Sequence, residues 1–170
     1  MGIMYSVQED NLTTDFGISP LFPTTIEDNT KVFVGNAVIA GQCLQNTTAG
    51  LALANTTSGV YGLAKESVNG AANVNEVSDN GWGIFGSKKI TACMFGVYSV
   101  KNFEYTKGDG DVVEFTAIDT NAINANTTLG TALGSDANGK ITAVEAGSTL
   151  SFGKLLAVSA DGKEIQVFIK

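Results

Sequence analysis

Glu104 and Glu114 lie on either side of the turn Lys107-Gly108-Asp109-Gly110-Asp111, and these acids are the side chains whose spacing could support chemistry. Across a hairpin, Glu104 with Glu114, or Asp109 with Asp111 at its tip, would form a carboxylate pair. Glycoside hydrolysis needs such a pair, one carboxyl to protonate the leaving oxygen and one to attack the sugar or activate water. The competing reading is a solvated acidic hairpin tip, and it carries more weight. Asp109-Gly110-Asp111 also lacks the glutamate-closed loop that would mark a calcium site. Cys43 and Cys93 sit among apolar neighbours with no CxxC spacing, which reads as two buried thiols rather than a metal or redox motif. Lys88-Lys89 could meet an acidic partner, but adjacent lysines in a turn are ordinarily solvated. Trp82, the single tryptophan, stands between Gly81 and Gly83 and is read either as core packing or as an exposed surface anchor for sugar or protein.

Composition narrows these options. The chain has 170 residues, no histidine, and a formal net charge of −7 from 17 acidic and 10 basic residues. Without histidine there is no Ser-His or Cys-His dyad and no imidazole metal ligand. Every basic residue is lysine, so the planar guanidinium fork that reads phosphate and guanine is absent, and the negative field repels nucleic acid. The expectation is a protein that is not an enzyme, with no cofactor, no metal and no nucleic-acid partner. With 44% hydrophobic and 16% charged residues the chain can bury a core.

The N-terminal residues Met1-Gly2-Ile3-Met4-Tyr5 lack a basic segment and meet Glu9 and Asp10 before any apolar run, unlike a signal peptide. No stretch approaches the roughly 18 apolar residues of a membrane span, so no membrane partner is expected. Synthesis in a reducing cytoplasm follows as the default. The Asn-x-Thr triplets at Asn11, Asn46, Asn55 and Asn126 read as turn-forming loops rather than glycosylation sites.

The elements that must position these residues are strands. Val32-Phe33-Val34, Ala37-Val38-Ile39-Ala40, Leu51-Ala52-Leu53 and Val60-Tyr61-Gly62-Leu63-Ala64 are too short for helices and are separated by Asn, Thr and Gly clusters. Lys89 to Tyr105 has apolar residues on both parities, the pattern of a strand covered on both sides, and Val112 to Ile118 returns as its hairpin partner. Asp119 to Thr128 is a loop with room for one helical turn. Asp136-Ala137-Asn138-Gly139-Lys140 and Asp161-Gly162-Lys163 are turn signatures. Ile165, Val167 and Ile169 alternate with polar positions along a half-buried terminal strand, and the strand from Leu150 to Val158 should bend or bulge at Gly153. Gly59 to Ala64 and Ser151 to Val158 echo each other weakly.

The expected fold is therefore all-β, a barrel or sandwich of short antiparallel strands. Residues 1–30, with both prolines, read as an extended N-terminal arm. Phe16, Ile18, Leu21 and Phe22 are its candidate partner-binding residues, packed either on their own domain or on a neighbouring subunit. Residues 31–170 form the β-rich domain, taken whole or as two small subdomains joined near 67–81.

One further pattern bears on function. Ala37-Val38-Ile39-Ala40-Gly41-Gln42-Cys43-Leu44, then Gly50-Leu51-Ala52-Leu53, then Gly59-Val60-Tyr61-Gly62-Leu63-Ala64-Lys65-Glu66, and finally Asp161-Gly162-Lys163-Glu164-Ile165-Gln166-Val167 resemble the small β-barrel capsid decoration (cement) proteins of tailed bacteriophages. Gly153 to Val158 is similar to the strand preceding that last motif. The resemblance covers about half of the chain and leaves residues 81–126 without a counterpart. It implies a structural virion protein on the exterior of an expanded head, holding neighbouring major capsid subunits together around threefold positions. A homo-oligomer, and specifically a trimer, follows from that placement. It carries over no catalytic residues. The alternatives are another phage part (a tail tube, head fibre or receptor-binding component) and a carboxylate-dependent glycosidase.

Overall fold

The computed structural model describes residues 18–21, 24–35, 37–69, 89–106 and 108–170, and all regular structure among them is strand. In chain order the strands are β1 (Ile18–Pro20), β2 (Ile26–Asp28), β3 (Ala37–Val38), β4 (Cys43–Thr47), β5 (Gly50–Leu53), β6 (Gly62–Ala64), β7 (Val68–Asn69), β8 (Ala92–Lys101), β9 (Phe103–Thr106), β10 (Val112–Phe115), β11 (Ala132–Ser135), β12 (Ile141–Ala143), β13 (Gly153–Val158) and β14 (Glu164–Ile169).

β8 organises the molecule because it belongs to both halves of one ten-stranded antiparallel sheet. Its C-terminal part pairs with β14 from Ile169↔Gly96 to Glu164↔Lys101, and the sheet continues through β13 and β11 to β12. Its first two residues pair instead with β6, which leads to β4 and β5. A strand that serves both halves of a curled sheet must turn between them. Gly96 stands at that turn with φ of 123°, a backbone region that side chains disfavour. The connection from β1 to β2 crosses closely there: a Cβ on Gly96 would lie 2.8 Å from Thr25 Cγ2.

The sheet curls into a half-barrel. Ile165, Val167 and Ile169 of β14 point inward with Tyr98 and Val100 of β8, Leu155 of β13, Leu133 of β11, Ile141 of β12 and Leu63 of β6. Each such aliphatic side chain contributes about 1.5–3 kcal/mol on burial. Asp119 accepts through its carbonyl from the Ala122 and Ile123 amides, the single turn expected there, and the turn puts Ile123 into the same core. The opposite face of β4 and β6 is also covered. Leu44, Leu51, Ala64 and Ala92 pack there against Phe33, Val38 and Ile90. That double coverage explains why these strands read as unbroken apolar runs. β3 with β7, and β9 with β10, form two separate two-stranded sheets.

The described part of the N-terminal arm is extended and lies along β8. Ile18 pairs with Val100 and is buried in the half-barrel, and Leu21 donates its amide to the Val97 carbonyl at 3.0 Å. The terminal strands differ from expectation in one respect. The irregularity in β13 falls between Leu155 and Ala157, not at Gly153. Gly153 answers a close approach instead, since a Cβ there would collide with the Phe168 carbonyl oxygen. Its counterpart in the sequence echo, Gly62, is crowded in the same way by the Cys93 carbonyl at 2.6 Å.

Candidate functional site

The hairpin between Phe103 and Phe115 forms as the sequence suggests, with Glu104 directly opposite Glu114. Like charges in that position repel. Lys163, carried in by the Asp161-Gly162-Lys163 turn before β14, relieves the repulsion by placing Nζ 2.8 Å from Glu104 Oε1. The Glu104 hydrogen bond is the chief cause that raises the Lys163 pKa, so the ammonium is held in its charged form. These residues, with Asn102, Phe103, Thr116 and Thr120, line an open cleft of about 300 Å³.

Asn102 sets the base of this cleft. Its Oδ1 accepts from the amides of Ala117 (2.8 Å) and Ile118 (2.9 Å), and its Nδ2 donates to the Ile118 carbonyl at 3.2 Å. The side chain thus substitutes for a strand partner where β8 ends and β9 begins, and it holds the segment that leads from β10 back to the half-barrel. Neither Asn102 nor Lys163 stood out as a site residue in the sequence. The turn signature marked the position of Lys163 but not the partner it would meet.

The cleft is polar and open to water. Carboxyls on opposite residues of an antiparallel pair fall near the spacing of about 5–5.5 Å that retaining glycosidases use. Here the Lys163 ammonium is already bound to one of them, and Glu104, Glu114 and Thr120 are exposed. The tip acids take part in turn formation. Asp109 Oδ1 accepts the Asp111 amide at 3.1 Å, and both residues are exposed. No group of three or more acidic or cysteine residues that could hold a metal occurs among the described residues.

The other candidates are dispersed. Ile18 is used by its own core, while Leu21, three residues on, is 41% exposed. Phe16, Phe22, Trp82 and Lys88 lie outside the described residues, and Lys89 forms an isolated bridge with Val32. Cys43 and Cys93 are both buried, and burial pushes the Cys93 thiol up to about 12 and raises that of Cys43 as well. Asn55 and Asn126 sit in turns, with Asn55 Oδ1 accepting the Thr57 and Ser58 amides, whereas Asn46 lies within β4.

The chain matches no family model, no curated protein and no solved structure. The functional reading therefore rests on the residues.

A carboxyl whose pKa burial shifts upward was also missed in the sequence. Glu66, just after β6, is partly buried, and that burial raises its pKa even though Oε1 accepts the Thr91 amide at 2.6 Å. Beside it, Lys65 Nζ pairs with Glu27 Oε2 at 2.9 Å, and Tyr61 donates its hydroxyl to Asp28 Oδ2 at 2.6 Å. Both contacts join β2 to the segment around β6 across β8. They act as ties that hold the N-terminal strands on the sheet.

Proposed function

We propose that this chain is a structural docking protein that binds the outer surface of a phage head and stabilises contacts between neighbouring major capsid subunits. The observation that carries the docking is the β9–β10 hairpin, which forms a sheet of its own beside the half-barrel. Among the described residues β10 pairs only with β9, and Val112 at its start is 57% exposed. A hairpin that presents an exposed apolar residue at the start of its second strand is a surface on which a partner segment can dock. The burial of both thiols and the open, ion-paired state of the carboxylate cleft favour docking over catalysis.

The capsid as partner rests on the resemblance of the segments around β4, β5, β6, β13 and β14 to decoration proteins. A homo-oligomer, with a trimer at threefold positions, belongs to the same proposal, as does a place on the virion exterior after synthesis in the host cytoplasm. Repetition over a head would turn many weak contacts into tight attachment.

Purified chain mixed with preformed expanded heads that lack it should co-sediment with them. Replacing residues 104–114 by a short Asn-Gly turn should abolish co-sedimentation while the half-barrel keeps its cooperative melt. Unchanged binding after that replacement would overturn the hairpin as the docking element. Polymerisation of the chain without heads would favour a tail-tube protein. Hydrolysis of an oligosaccharide, lost in Glu104→Gln, would replace docking by the glycosidase reading.

A further inference from the structure

We infer that the outer face of β11 and β13 carries a binding site for a small organic anion, a carboxylate or phosphate group on a body about the size of a monosaccharide. The cleft there has a volume of about 420 Å³, within the range of small-ligand sites. Its lining includes Lys154, Lys170, Ser148 and Gly147, and it contains no aspartate or glutamate side chain. That is notable in a chain with 17 acidic and 10 basic residues.

The register of the sheet creates the charge. Lys154 pairs with Phe168, and the Lys170 amide donates to the Phe152 carbonyl, so the two lysines are diagonal neighbours across β13 and the end of β14. Gly153, Leu155, Val167 and Ile169 occupy the buried positions, which leaves Lys154 and Lys170 pointing outward. Diagonal neighbours lie about 7–8 Å apart, close enough for both ammonium groups to reach one anion. Among the described residues neither is in an ion pair.

The loop between β12 and β13 adds neutral donors. The Ser148 amide is used by the Glu145 carbonyl, and Ser148 Oγ accepts from the Leu150 amide at 3.2 Å, which leaves the hydroxyl proton uncommitted. The Gly147 amide has no protein acceptor among the described residues. Thr131 and Ser151 already donate their hydroxyls, to the Thr128 and Gly153 carbonyls. The free donors are thus two ammonium groups, one hydroxyl and one amide around one cleft. Methyl surfaces of Ala132, Ala146 and Val144 line the rest and suit the uncharged body of a ligand. Such a set recognises an oxyanion by charge-assisted hydrogen bonds.

The test is a titration of the full chain, followed by backbone amide resonances at constant ionic strength, with glucuronate, glucose 6-phosphate, inorganic phosphate and glucose as probes. Saturable shifts at Gly147 and Ser148 with the two anionic sugars, and none with glucose, are expected. Preference for glucuronate or for glucose 6-phosphate assigns the group as carboxylate or phosphate. Lys154→Gln, an exposed substitution that leaves the core intact, should weaken binding by at least tenfold, and Ser148→Ala should weaken it less. The proposal fails if glucose shifts the same amides equally, if inorganic phosphate binds as tightly as the sugar anions, or if the shifts survive Lys154→Gln.

Discussion

Gln42 and Asn138, 96 residues apart, are joined by a 3.0 Å hydrogen bond from Gln42 Nε2 to the Asn138 carbonyl. The same side chain accepts the Ile39 amide through Oε1 at 2.8 Å, and the next residue, Cys43, donates its amide to the Gly139 carbonyl at 2.7 Å. β4 is in this way fastened to the turn between β11 and β12, at opposite ends of the strand order. The glutamine is 6% exposed, so its own amide has little access to water as an alternative.

Gln42→Ala should destabilise the fold by about 1–3 kcal/mol, since it leaves the Ile39 amide and the Asn138 carbonyl without their partner. For a chain of this size that is a fall of roughly 2–4 °C in Tm per kcal/mol. Thermal unfolding followed by circular dichroism checks it, and an unchanged Tm would show that the turn needs no fastening.

Gly96→Ala should be more damaging than a typical exposed glycine change. The added methyl meets Thr25 and Thr24, and the backbone is held at φ 123°. Strain at such positions costs on the order of 1–3 kcal/mol. In urea, Gly108→Ala, where a Cβ meets nothing within 4 Å, is the control and should move the midpoint far less.

Neither thiol should react with dithiodipyridine in the native protein at pH 8. Cys43 and Cys93 are buried, and that burial opposes thiolate formation at both. Labelling should track global unfolding as denaturant rises. Fast labelling of one thiol under native conditions would mean that β4 or β8 opens locally.

The Asp28 contact predicts an acid limb of stability. Hydrogen bonds from the Thr30 hydroxyl first, then from Tyr61 and the Thr30 amide, lower the Asp28 pKa from 3.8 to about 2. A lowered folded pKa means that the carboxylate stabilises the protein above the unfolded value and that this contribution fades as pH falls from about 4 toward 2. The same contact raises the Tyr61 pKa, chiefly through the Asp28 hydrogen bond, so that its share is present below about 10 and is lost in stronger alkali. Asp28→Asn should therefore lower the urea midpoint at pH 6, with the gap to the native sequence closing by pH 2. A gap independent of pH would remove the carboxylate from the explanation.

Much of this architecture was legible in local chemistry. The strict alternation of Ile165, Val167 and Ile169 marked a half-buried strand, and the Asn-Gly and Asp-Gly turns marked where chains reverse, because both signals depend on near neighbours. The hairpin register that sets Glu104 against Glu114 was legible for the same reason. Ile18 was harder to place. An apolar residue in an aperiodic segment beside Pro20 carries no sign of which surface it will cover, and here it covers its own half-barrel along β8.

The sequence by itself determined an all-β chain with buried thiols, because period-two alternation, β-branched content and turn residues act within a few positions of one another. The tertiary structure decided what depends on register and curl. Those are the division of β8 between two halves of a sheet, the meeting of Gln42 with Asn138, the approach of Lys163 to Glu104, and the diagonal pairing of Lys154 with Lys170. Each joins residues whose separation is closed only when strands distant in the chain are laid side by side, and no local pattern encodes that choice.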